Sequence, residues 1–406
     1  MGLSGLFRIA LSLVACSAAV ALGQNSAMDL RQVLQSAESE NPDLRAIRQQ
    51  RALALAGLQT ARQFPNPTFS FGAARDTPHE SVIFDQPFEV GGQRGKRIAV
   101  AQEEQKGTEL EIAALARQVR RRTREGFFRV LFSRAETEQA RSALDVATRL
   151  LQVVQQRFDA GDVAQLEVIQ ADVELARANV EYEAALQGEK GADAQLAALI
   201  GRRLDQRLAI DGKLEAFSRP ESLESVTEAA MRSNSDLQRI AQEVEIEQRR
   251  LTLVKAQRIP NVDVQFGTDL NSPPDFRAGP RGQIALTLPL FYRGQGEVAL
   301  STAKLAFLRL VLQAQRTSAS VQVAVAYFDY LAKARQADAY AQKVVPQTVR
   351  LQQMAEESYR AGKSNLLVVI DAQRKLTETR KTYLENLFAV QSSFAILEEA
   401  VGSPLD

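Results

Sequence analysis

Few residues in this 406-residue chain are equipped for catalysis. His79 is its only histidine and Cys16 its only cysteine, and tryptophan is absent. A His/Cys metal cluster therefore cannot form within one chain. One thiol allows no internal disulfide framework. Carboxylates are abundant, yet none has the spacing of a calcium loop or a zinc protease. Nor is there a GxSxG nucleophile turn, a phosphate-binding P-loop or a dinucleotide glycine pattern. A hydrolase would have only unpaired carboxylates to work with, so no enzyme and no cofactor is expected. The one basic run, RQVRRRTRE at 117–125, has no aromatic stacking platform beside it. It reads as a solvated or salt-bridged helix face, and with a net charge of +1 nothing draws the protein to nucleic acid.

The chain repeats itself instead. FDAGDVAQLEVIQADVELARANVEYEAAL, from Phe158, aligns without a gap with YRAGKSNLLVVIDAQRKLTETRKTYLENL, from Tyr359. Ala160 and Gly161 fall on Ala361 and Gly362, and Tyr182 falls on Tyr383. Further upstream, Asn41 matches Asn234, FPNPTFSFG (64–72) matches IPNVDVQFG (259–267), and Pro87 and Gly92 match Pro289 and Gly294. One architecture is thus built twice, over 24–200 and 221–406, with residues 201–220 joining the halves.

Each half reads helix, helix, strand, strand, long helix, tip, return helix. The strands are expected at about 67–75, 81–90, 261–270 and 281–291, from alternation such as Val262, Val264 and Phe266 against Asp263, Gln265 and Gly267. The turn-forming stretches DTPHE (76–80) and NSPPDFRAGP (271–280) join them. Long helices are expected over about 92–160 and 294–361, the second with Pro346 as a local kink or bulge. Tips fall at about 158–165 and 359–366, and return helices at about 163–200 and 364–401. In the first long helix Ala140, Leu144, Ala147, Leu151, Val154 and Phe158 form a coiled-coil seam. In the helix that follows, Leu166, Ile169, Val173, Ala176 and Val180 form one stripe and Leu175, Tyr182 and Leu186 another. Two stripes suit a ring in which each helix touches two neighbours. Gly161 and Gly362 are expected to end the long helices in left-handed geometry, with Asp162 and Ser364 as N-caps of the helices that follow.

Residues 1–23 read as a secretory signal: Arg8, then the apolar run IALSLVACSAAVAL. Cleavage after Ala21-Leu22-Gly23 competes with a lipobox, Leu13-Val14-Ala15-Cys16, that would leave Cys16 lipidated. No later run is long enough for a spanning helix, so any membrane crossing must use strands. Four strands close no barrel, and an open edge is not tolerated in hydrocarbon. Membrane insertion would therefore force assembly of several chains. The competing reading is a secreted or periplasmic coiled-coil scaffold with small soluble sheets. Release into the soluble fraction without detergent would distinguish it.

The doubled tip, the PNP and PNV strand openings and the proline-glycine strand exits resemble the TolC-like outer-membrane efflux factors over essentially everything after the signal. FDQPFEVGGQRGKRIAVAQ (84–102) is most similar to the heavy-metal, cobalt–zinc–cadmium subgroup. The resemblance implies a mainly α fold with a small β part. A homotrimer would form a twelve-stranded barrel in Gram-negative outer-membrane lipid and a helical tube through the periplasm. It also implies a periplasmic adaptor and an inner-membrane pump of the resistance-nodulation-division class, and a passive duct with no metal site of its own. By the same resemblance Asp371 and Glu167 are gate acids at the periplasmic entrance, and Tyr359 helps to latch it. Phe158, Ala160, Gly161, Asp162, Ala361, Gly362, Lys363 and Ser364 are tip residues that would meet the adaptor. A second family acid falls on Val368 and a basic latch residue on Ser364, so this gate is thinner than most.

Overall fold

The computed structural model describes residues 27–205, 207–217, 220–272 and 276–405. The signal segment and Cys16 lie outside the described residues. The first half contains α1 (Leu30–Glu40), α2 (Pro42–Arg48), α3 (Gln50–Arg62), β1 (Thr68–Ala73), β2 (Glu80–Phe88), α4 (Gln93–Asp159) and α5 (Gln165–Leu199). The second contains α6 (Leu223–Ser233), α7 (Ser235–Gln257), β3 (Val262–Ser272), β4 (Phe276–Leu286), α8 (Gln295–Ala339), a π-helical turn (Tyr340–Val344), α9 (Val345–Arg360) and α10 (Leu366–Val401).

The repeated asparagines have one job in both halves. Asn41 accepts from the Leu44 amide and donates through Nδ2 to the Leu199 carbonyl, 2.9 Å away. Asn234 accepts from the Leu237 amide and donates to the Ala400 carbonyl at 2.8 Å. Each caps one helix while satisfying an orphan carbonyl at the end of another. Gly201 and Gly402 follow those ends at φ +66° and +83°. A Cβ on Gly402 would lie 2.2 Å from the Ser233 carbonyl oxygen, and one on Gly201 2.7 Å from that of Glu40.

Gly92 and Gly294 start the long helices with φ near +65°. α4 runs 67 residues without a break, on the order of 100 Å. Its counterpart is interrupted by the π turn immediately before Pro346. A proline has no N–H, and its ring crowds the carbonyl four residues back; widening that turn relieves the conflict.

The main core joins the halves: Val33, Leu44, Phe127, Leu196, Tyr330 and Phe394 are all at most 1% exposed. Residues 207–217 are strapped onto it. Leu208, Ile210 and Leu214 are buried, and Gln391 donates to the Leu214 and Ala216 carbonyls. Arg124 and Glu398 form a buried ion pair at 3.0 Å, with the guanidinium over the Phe394 ring.

The four strands form one antiparallel sheet, ordered β1-β2-β3-β4, with the halves meeting at β2–β3. One face carries the row Phe69–Phe84–Phe266 and the row Phe88–Val262–Leu286. The opposite face carries Asp85, Asp263, Gln265, Asp269, Arg281 and Gln283, with Arg281 3.8 Å from Asp269. The last strand needs correction: it occupies 276–286, not 281–291. Gly279 and Pro280, read as turn formers, are inside it. Proline is tolerated there because β4 is an edge strand. The alternating Leu288 and Leu290 lie beyond the sheet, in the segment 287–294 that leads to α8.

Candidate functional site at the helical tips

Both long helices end in the same C-terminal motif. Gly161 adopts φ +83°, and the Gly161 and Asp162 amides donate to the Phe158 and Arg157 carbonyls. Gly362, at φ +69°, and Lys363 donate in the same way to Tyr359 and Ser358. The expected N-caps differ. α5 has Ala164 at its N-cap, without a side-chain bond. α10 is capped by Asn365, whose side chain accepts from the Val368 amide at 3.2 Å. Asp162 and Ser364 lie too far upstream of the first helical residues to reach those amides. The Ser364 hydroxyl is buried without a hydrogen-bond partner among the described residues.

An apolar knot of Val154, Ala171, Leu366, Val369 and Ile370 packs the two tips together around Tyr359, which is 4% exposed. The Tyr359 hydroxyl donates to Glu167 Oε2 at 3.0 Å. The Arg157 guanidinium lies over the phenol ring, 4.8 Å from its centroid. Burial raises the Tyr359 pKa, and the hydrogen bond and charge of Glu167 raise it further against the opposing effect of Arg157. The phenol therefore keeps its proton and remains a donor.

Further from the tips, Arg374 of α10 pairs with Glu174 of α5. The hydrogen bond to Glu174 raises the Arg374 pKa; burial opposes this, and the charges of Glu174, Asp371 and Glu181 reinforce it. Gln139 donates to the Thr377 carbonyl at 2.8 Å, and Lys381 stands 3.8 Å from Glu136. These ties bracket a cleft of about 840 Å³ between the hairpins, with Ala143, Leu150 and Ile370 among its apolar walls.

The structure brings Glu167 and Tyr359 together but leaves Asp371 apart from them. Asp371 is exposed, without a hydrogen bond or ion pair among the described residues. Phe158 is 37% exposed, and Ala160, Gly161, Asp162, Ala361, Gly362 and Lys363 are exposed at the end of the hairpins. Arg157, Glu174 and Arg374 were missed by the sequence reading. The offset frame carries a signal for Arg157: it falls opposite Ser358, a charge in one half without a counterpart in the other.

Along α5 from the tip upward, Leu166, Ile169, Val173 and Val180 are 54–68% exposed. Leu175, Tyr182 and Leu186 are half-buried within the chain. One stripe of α5 is thus used and the other is left bare.

The profile of a family described as outer membrane efflux protein matches residues 33–202 and 226–403. The chain is 26% identical over 383 residues to the cobalt-zinc-cadmium resistance protein CzcC of Cupriavidus metallidurans, covering 92% of this chain and 90% of that protein. Its fold is similar to a crystal structure of CusC, from work on folding and transmembrane channel formation (TM-score 0.79, 16% identity, 95% and 96% covered). It is also similar to a membrane protein from Pseudomonas aeruginosa (TM-score 0.78, 16% identity, 92% of each chain).

Proposed function

Because the chain belongs to the outer membrane efflux protein family, whose members are channels and not enzymes, we propose that it is the outer-membrane duct of a tripartite system exporting heavy-metal cations. The observation that carries this is the sheet. It has an apolar face, a polar face bearing Asp85, Asp263 and Asp269, and unpaired edges at β1 and β4. In lipid those edges must pair, and three copies joined β1 to β4 give a closed twelve-stranded barrel. The same closure would cover the bare stripe of α5. The helices then form a periplasmic tube, which an adaptor couples to an inner-membrane pump of the resistance-nodulation-division class.

The duct itself does no chemical work; the driving force comes from the pump. The tips act as an iris. Tyr359–Glu167, braced by Arg157, holds the hairpins of one chain together, and Asp371 adds negative charge at the entrance. Adaptor binding would favour splayed hairpins. A few kcal/mol of differential affinity is enough to shift such an equilibrium strongly. Heavy-metal cations are the proposed cargo because the relative over most of the chain is named for cobalt, zinc and cadmium resistance.

A deletion strain tests this directly. It should become sensitive to cobalt, zinc or cadmium but not to organic drugs, and the tagged protein should co-purify with a pump and an adaptor. Sensitivity to drugs alone would reject the cargo. Purification as a water-soluble monomer would reject the duct.

A further inference from the structure

The four junctions between strands and helices all lie at one end of the sheet, because Phe88, Val262 and Leu286 pair in one row there. Unpaired cations gather at that end. Beside β1, Arg94 stacks on the exposed Phe64, 4.1 Å from the ring centroid, and donates to the Arg62 carbonyl. Lys96 lies two residues further along α4. Beside β4, Arg258 packs against Gly294, and Arg293 donates to the Leu290 carbonyl. None of these four basic side chains has a carboxylate partner among the described residues. Next to the second group, Phe291 is 94% and Tyr292 64% exposed. α4 also begins here without an acid in its first turn, so its positive dipole end adds to the field, whereas α8 begins with Glu297, whose carboxylate faces Gly294 beside Arg258.

We propose that this rim binds anionic diacyl phospholipid in the leaflet facing the helical tube, at a site completed where β1 of one copy meets β4 of the next. The proposal rests on the outer-membrane duct reading. The apolar face of the sheet runs along β4 through Ile284 and Leu286, and the exposed Leu288, Leu290 and Phe291 follow in the segment beyond the strand. The acyl chains have apolar side chains to meet on both sides of that boundary. Aromatic rings with exposed edges suit the boundary between hydrocarbon and headgroup, and the guanidinium groups supply planar donors for a phosphate. Closing the barrel brings the Phe64–Arg94 group of one subunit to the same seam as the Arg258–Arg293 group of its neighbour.

The purified assembly is reconstituted into phosphatidylcholine vesicles with and without phosphatidylglycerol, and is titrated in detergent with each lipid while thermal unfolding is followed. Phosphatidylglycerol should be retained preferentially and should raise the unfolding temperature; phosphatidylcholine should not. Each surface cation contributes roughly a fivefold gain toward an anionic membrane. The double variant Arg258→Gln/Arg293→Gln should therefore lose roughly 25-fold in preference while keeping its assembly and conductance, and Arg258→Lys/Arg293→Lys should restore much of it. Equal retention of both lipids by the natural protein would overturn the inference and leave the duct intact. So would a variant that changed ion selectivity but not lipid preference, because the cations would then line the lumen. Failure to enter vesicles of either composition would overturn the inference and the duct together.

Discussion

Tyr359 ties the two hairpins of a chain at their tips through its hydroxyl bond to Glu167. Tyr359→Phe keeps the packed ring but removes the donor to Glu167. It should cost about 1 kcal/mol and raise the open probability of single channels in planar bilayers. An unchanged open probability would show that the apolar knot and the deeper Arg374–Glu174 pair hold the tip without this bond. Asp371→Ala should alter conductance or cation block in the same assay; unchanged values would remove Asp371 from the gate. Acid sensitivity belongs elsewhere. Glu247, between α7 and α8, is 2% exposed. Burial opposes its ionisation, but bonds from Ser301 and Lys304 and the charge of Arg250 outweigh burial and hold its pKa below the ordinary value. A depressed carboxylate contributes stability above its unfolded pKa and loses it as pH falls through the folded value. Glu247→Gln should therefore flatten the decline of unfolding temperature in that acidic window. An equally steep decline would place the proton uptake at other groups.

At the level of elements, most of the architecture was legible because the repeat gave every feature a second witness. The strand-helix order, the paired glycine ends and the position of α4 all follow from residues that recur in register. What escaped was local competition. Asn365 outcompeted Ser364 as a cap because it stands one residue closer to the first turn, and β4 absorbed Gly279 and Pro280 because an edge strand can spare an amide. Of the site, the aligned tips were legible, but the Arg157–Tyr359–Glu167 contact was not, since it joins hairpins about 200 residues apart. The glycines offer a graded test. Gly402→Ala combines φ +83° with a Cβ 2.2 Å from the Ser233 carbonyl oxygen and should cost about 2–4 kcal/mol. Gly161→Ala has the same φ but open space around it, and should cost only about 1 kcal/mol. Equal losses in chemical denaturation would mean that the backbone angle alone sets the cost.

At the scale of the whole molecule, the bare sheet edges and the uncovered stripe on α5 would both be buried in the assembly of copies proposed above. Val173→Glu, in the middle of that stripe, should leave helical circular dichroism unchanged while shifting the protein from oligomer to monomer in detergent chromatography. An intact oligomer would mean that α5 faces water.

Although the halves descend from one plan, only the second long helix carries a widened turn. Beyond it the matched tips differ as well: Asp162 of the first stands where the second has Lys363. In a closed assembly the rim positions therefore alternate between two unlike tips. Any collar of identical fingers that grips all of them must accept two unlike seats, and a collar that insists on one seat can occupy only every second position.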